Sequence, residues 1–230
     1  MDRNAAILEI AEEVRASASK LIPVGEVRFT VNRRPKTVVP FIGVGGSCFS
    51  TEVVSLDVDP TLDITDEKKR RLIRYTVAHE LHHAARWRSV GCGRSLREAL
   101  VFEGLADHFA RQMEPSVVMP WTRPMGPFAR SMCRLQLSVI SRARLFSRRV
   151  WFYRGSAVRG IPRWAGYSLG YEIVGRYLDK GGLKASDCHG TPAALVLEKR
   201  KPNQPPEPTT TAGTSAAAQP RVPAAVVAHL

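Results

Sequence analysis

Within this 230-residue chain, one cluster has the residue types and spacing to hold a metal ion and activate a water: His79-Glu80-x-x-His83. On a helix, residues four apart differ by about 40° in azimuth and lie one turn apart, so both imidazoles can meet one Zn²⁺ at roughly 2.0–2.1 Å. Glu80 is offset by about 100°. That keeps it off the metal but within reach of a water beside it, the place of a general base. Five residues of this kind also arise by accident on surface helices, so a second feature is needed.

Glu103 and Asp107 supply it. The segment that carries them has apolar residues at Leu96, Ala99, Leu100, Ala106, Ala110 and Met113, and both acids fall on that same stripe. Carboxylates on a core-facing stripe are costly unless paired or bound to metal. A metal ligand and its hydrogen-bonding partner would account for both; the alternative is a stripe phased differently, with both acids in water. Gly104 beside Glu103 would allow a neighbouring helix to come close.

The elements that must position these groups can be read from periodicity and punctuation. Residues 4–20 form an amphipathic pattern through Ala6, Ile7, Ile10, Val14 and Leu21, stopped by Pro23. Val27–Val31, Thr37–Val39 and Val53–Val58 predict a small, mostly antiparallel sheet of three or four strands over 25–59, with Gly43, Gly45 and Gly46 between them. Thr65-Asp66-Glu67 offers a hydroxyl cap and acids for a helix over 66–88. Ser95 and Glu98 form a capping-box pattern opening a helix over 96–113. Further helices are expected over 126–147 and from about Trp164 to Leu178. The four Trp lie between 87 and 164, which places the expected core mid-chain.

His79-Glu80-x-x-His83, nineteen residues, then Glu103-Gly-Leu-Ala-Asp107 resembles the thermolysin-like zinc peptidases, the gluzincins. The resemblance implies Glu103 as third zinc ligand and Asp107 as the carboxylate bonded to a zinc-binding imidazole, an arrangement that also orients the ring. Phe102 departs from the pattern, since many gluzincins have Asn there. Three stretches resemble more closely a bacterial family of predicted zinc-dependent proteases, a domain of unknown function: Thr76 to Trp87, Glu103 to Phe109, and Trp164 to Tyr171. That likeness implies an α+β, zincin-like fold, a Zn²⁺ cofactor and a peptide or protein substrate. Such chemistry also needs a donor for the oxyanion that forms at the carbonyl. Tyr167 is the first candidate, then Tyr171, with Arg163 and His189 behind; both tyrosines could equally be packing residues with anchored hydroxyls. His82, too close to His79 and His83 to share the metal, is expected to support a ligand or to pack, and His108 is expected to be structural. By analogy with zincins, Gly43–Ser50 is the expected edge strand for substrate.

Composition bounds the rest. A peptidase domain is expected over 1–197, followed by a Pro/Ala/Thr-rich tail over 198–230 that cannot bury enough surface to offset its ordering entropy. Glu9, Glu12 and Glu13 interrupt any signal-peptide pattern, no stretch reaches the ~20 apolar residues of a membrane span, and the four Cys lack paired spacing. A cytoplasmic protein with reduced thiols is expected. The net charge is +13, and ten Arg with no acid lie between Pro115 and Tyr171. An amphipathic element with a basic solvent face explains this; an anion or nucleic-acid binder using Arg123–Arg163 is the competing reading, although no helix-turn-helix or zinc-finger spacing supports nucleic acid. A zinc-stabilised regulatory or binding module is another, but it would not need Glu80.

Overall fold

A computed structural model describes residues 2–33, 38–39, 41–48, 50–140 and 146–198. The tail beyond Glu198, with His229, lies outside them, as do Arg142 and Arg144. The fold is α+β: six helices and a three-stranded sheet among the described residues.

Helix α1 (Arg3–Ala18) starts at an Asp2 cap and buries Ala6, Ile7, Ile10 and Val14. It ends two residues earlier than the pattern suggested, so Leu21 falls past it and is exposed while Ile22 takes the core position. Strands β1 (Arg28–Asn32), β2 (Val44–Cys48) and β3 (Val53–Val58) are ordered β1-β3-β2. β3 pairs antiparallel with β2 and parallel with β1, so the sheet is mixed rather than mostly antiparallel. A period of two reports which face of a strand is buried but not its direction, and β1 reaches the far side of β3 by a crossover. The expected Thr37–Val39 strand is absent at its described residues. Val39 instead closes a turn by accepting from the amides of Ile42 and Gly43, and the glycine-rich stretch after it is the strand.

Helix α2 (Glu67–Val90) is capped by the Asp66 carboxylate, which accepts from the Lys68 amide, while the Thr65 hydroxyl donates to Asp63 instead. Thirteen of its residues between Ile73 and Arg86 are buried, because α1, the sheet and α3 surround it. Helix α3 (Leu96–Met113) has the expected bounds and a full Ser95/Glu98 capping box. Helix α5 (Ala165–Gly181) crosses α3 where two glycines meet: a Cβ on Gly104 would lie 2.4 Å from the Gly170 carbonyl oxygen. Helices α4 (Pro127–Ile140) and α6 (Ala193–Leu197) complete the set, with a π-helical turn over Arg149–Arg154.

The main core runs from Ile7 to Val196, not just through the middle of the chain. Aliphatic residues of α1 and the sheet carry its N-terminal part, which the Trp distribution does not report. A smaller cluster joins Leu96, Leu100, Trp151, Phe152 and Leu169. Part of the basic region is answered internally: Arg130 and Arg134 converge on Glu172, and Arg163 lies over Trp164. No helix among the described residues is long and apolar enough to cross a membrane. All four cysteines are free.

Candidate metal centre

The long central helix and the capped one after it face each other, and four of the predicted groups meet between them. His79 and His83, one turn apart on α2, present their rings edge to face, with centroids 4.5 Å apart. Glu103 of α3 closes the triangle: its Oε2 lies 3.3 Å from His79 Nε2 and 3.3 Å from His83 Nε2. Ligands at about 2.0–2.1 Å from a tetrahedral Zn²⁺ stand about 3.3–3.4 Å from one another. Both separations therefore have the length of a tetrahedron's edge, and the three residues could hold a metal ion.

Asp107, one turn after Glu103, accepts from His79 Nδ1 at 3.1 Å, which leaves Nε2 free to face Glu103. Asp107 is itself pinned by Tyr75 Oη, which donates to its Oδ1 at 3.1 Å, and by Trp121 Nε1, which donates to Oδ2 at 2.9 Å. His83 is steadied differently. Its ring lies flat on Phe102, centroids 4.0 Å apart and 5° from parallel, so the residue that departs from the gluzincin pattern acts as a stacking platform.

Electrostatics follow from burial against charge. Burial pushes His83 down to about 4, with Glu103 opposing, so its ring is neutral at pH 7. Burial would also depress His79, but the carboxylates of Asp107 and Glu103 outweigh it and hold its pKa well above the ordinary value. Glu103 is held well below the usual carboxylate range, because His83, Arg148 and His79 overcome the penalty of its burial. For Glu80 the balance goes the other way: burial, with Glu103 and Asp107 nearby, raises it to about 7 against the pull of His79 and Arg148. Its carboxylate lies directly beneath Gly46 of β2, and β2 is an edge strand.

Tyr167 stands in the first turn of α5 among Trp121, Phe152 and Tyr153, its hydroxyl bonded to that of Tyr153. Tyr171 does not share those surroundings; it stacks on His108, centroids 3.9 Å apart, and its carbonyl accepts from His108 Nε2. His189 donates to the Ser186 carbonyl. His82 is fully buried against Phe109, with neither ring nitrogen hydrogen-bonded among the described residues.

Three contributors were not anticipated: Tyr75, Trp121 and Arg148. Tyr75 precedes His79 by four, as His79 precedes His83, so helical spacing could have flagged it. Trp121 and Arg148 come from segments whose approach no local pattern encodes. Arg148 donates to Glu103 Oε1 and stands 5.0 Å from the centre of the Phe152 ring.

No curated protein and no solved structure matches the chain. Residues 10–198 match a family described as a predicted Zn-dependent protease (DUF2268), and so take in every residue of this centre. The chain belongs to that family.

Proposed function

We propose that the protein is a zinc-dependent metallopeptidase of the zincin type, with residues 1–197 as its peptidase domain, working in the cytoplasm on a peptide or protein substrate. The observation that carries the reading is the triangle of His79, His83 and Glu103, with its two 3.3 Å edges and Glu80 beside it. In this reading the three residues are the metal ligands and Asp107 fixes the tautomer of His79. When bound there, Zn²⁺ would polarise the scissile carbonyl and acidify a water. Glu80 takes the water's proton and delivers it to the leaving amine, a task suited to a carboxylate whose pKa lies near 7. Tyr167 donates to the carbonyl oxygen as it gains charge. The substrate backbone adds to the outer edge of β2, which runs over Glu80.

The test compares wild type with Glu80→Gln on a proteome-derived peptide library while zinc content is measured by mass spectrometry. Zinc should stay stoichiometric in both, and cleavage should fall by about 10²–10⁴-fold in the variant. Undiminished cleavage by Glu80→Gln would remove the general-base role. Zinc that survives both His79→Ala and Glu103→Ala would remove the ligand set.

A further inference from the structure

Glu103 has two oxygens, and the structure gives them different partners. Oε2 faces both imidazoles at 3.3 Å. Oε1 is taken by the Arg148 guanidinium, which arrives from 45 residues away in sequence. We propose that Arg148 is a positioning residue: it binds Glu103 Oε1 and so holds Glu103 as a one-oxygen metal ligand. This rests on the metal-ligand reading above, and adds to it a residue from the basic stretch that looked in sequence like a solvated face.

Two arguments support it. The first is geometric. A carboxylate free to rotate can offer a metal both oxygens, and nothing on α3 itself prevents this. Arg148 Nη2 on Oε1 does, because a charged donor already holds that oxygen. Arg148 is itself held. Tyr153 hydrogen-bonds to it, and Phe152 lies under the guanidinium. Phe152 in turn packs so closely on α5 that a Cβ at Gly166 would stand 2.7 Å from its ring.

The second argument is charge. Glu80, Glu103 and Asp107 place three carboxylates in one buried site. A divalent ion answers two of them. Arg148, with two thirds of its side chain covered, supplies the third positive charge at the contact. Because an arginine does not deprotonate, that compensation is present whether or not metal is bound.

The experiment uses the full chain stripped of metal and reloaded with Co²⁺ or Zn²⁺. Wild type, Arg148→Ala, Arg148→Lys and the neighbouring exposed Arg149→Ala are compared. With Glu103 released to use both oxygens, the cobalt centre of Arg148→Ala gains a donor and its visible absorption weakens. Zinc affinity, measured by chelator competition, falls about 10–100-fold. Arg148→Lys, whose ammonium lacks the guanidinium's contacts with Tyr153 and Phe152, recovers part of both, and Arg149→Ala changes neither. A wild-type cobalt spectrum and unchanged zinc affinity in Arg148→Ala overturn the proposal. Should Arg148→Ala not fold by circular dichroism, the lysine variant decides: it keeps the charge and loses the guanidinium's contacts with Tyr153 and Phe152, and wild-type values of both readouts in it overturn the proposal. Wild type that takes stoichiometric zinc but cuts no peptide overturns the peptidase reading and leaves this one standing; wild type that takes no metal overturns both.

Discussion

Gly46 and Glu80 occupy one another's space: a Cβ built on Gly46 would lie 2.6 Å from Glu80 Cγ and 2.7 Å from its Oε1. The edge strand thus touches the proposed base directly, and it can do so only with hydrogen at that position. Thr76 Cγ2 stands 2.9 Å from the same point, so an added methyl would meet Thr76 as well as Glu80. Gly46→Ala should therefore displace the carboxylate by about an ångström, enough to cost on the order of 100-fold in kcat, while zinc stays bound because none of the proposed ligands moves. Peptide turnover and metal content on the same sample check this. Equal turnover would mean that Glu80 is not held by the strand.

Asp107 satisfies three donors at once: His79, Tyr75 and Trp121. Asparagine cannot, since its amide group would set a donor against one of them. Asp107→Asn should weaken zinc binding about 10–100-fold through the loss of His79 orientation. It should also cost about 1–3 kcal/mol of stability from the buried donor left unpaired. Chelator competition and urea denaturation separate the two effects. An unaltered zinc affinity would show that His79 is oriented by packing alone.

Zinc uptake should release protons, with a sign set by the pKa directions. Without metal, Asp107 and Glu103 keep His79 protonated above the ordinary histidine range, and the ion must displace that proton. Apparent affinity should then rise about tenfold per pH unit until the raised pKa of His79 is passed. His83, already neutral because its pKa is about 4, releases nothing near pH 7. Glu80, near 7, gives up its remaining fraction as the positive charge arrives. Titration calorimetry in buffers of different ionisation enthalpy should show between one and two protons at pH 7, and about one in Glu80→Gln. Heats independent of buffer would remove the protonated His79.

What could be read beforehand follows from where the information lies. Spacing within one helix placed His79, Glu80 and His83, and the Ser95/Glu98 box set the start of α3 to the residue, because caps and periods are local. Glu103 and Asp107 were legible because a carboxylate on an apolar stripe demands a partner. The direction of β1 against β3 was not, since a period of two is blind to it. Nor was Arg148: it is one arginine among ten in its stretch, and only tertiary approach distinguishes the one that meets Glu103 from Arg130 and Arg134, which meet Glu172. Val38 and Val39 lie at a turn rather than in the expected strand, and Gly45 and Gly46 lie in β2, inside the Gly43–Ser50 stretch expected as an edge strand, rather than between strands.

The crossing of α3 and α5 carries the most demanding stability test. A Cβ at Gly104 would stand 2.4 Å from the Gly170 carbonyl oxygen, and one at Gly170 would stand 2.3 Å from that of Leu100. Both obstacles are backbone, so no side chain can swing aside. Alanine gains about 1 kcal/mol of helix propensity over glycine, but overpacking costs about 1–3 kcal/mol or more, and here the helices themselves must separate. The steric effect should win, leaving Gly104→Ala and Gly170→Ala destabilised by about 1–2 kcal/mol net. Gly104 adjoins Glu103, so its variant should also loosen zinc, whereas Gly170→Ala should do so less. Gly126→Ala, with no neighbour within 4 Å and no left-handed backbone, is the control and should stay within about 0.5 kcal/mol of wild type. Urea midpoints for the three variants decide the matter; a stabilised Gly104→Ala would mean that the two helices do not approach as closely as these distances require.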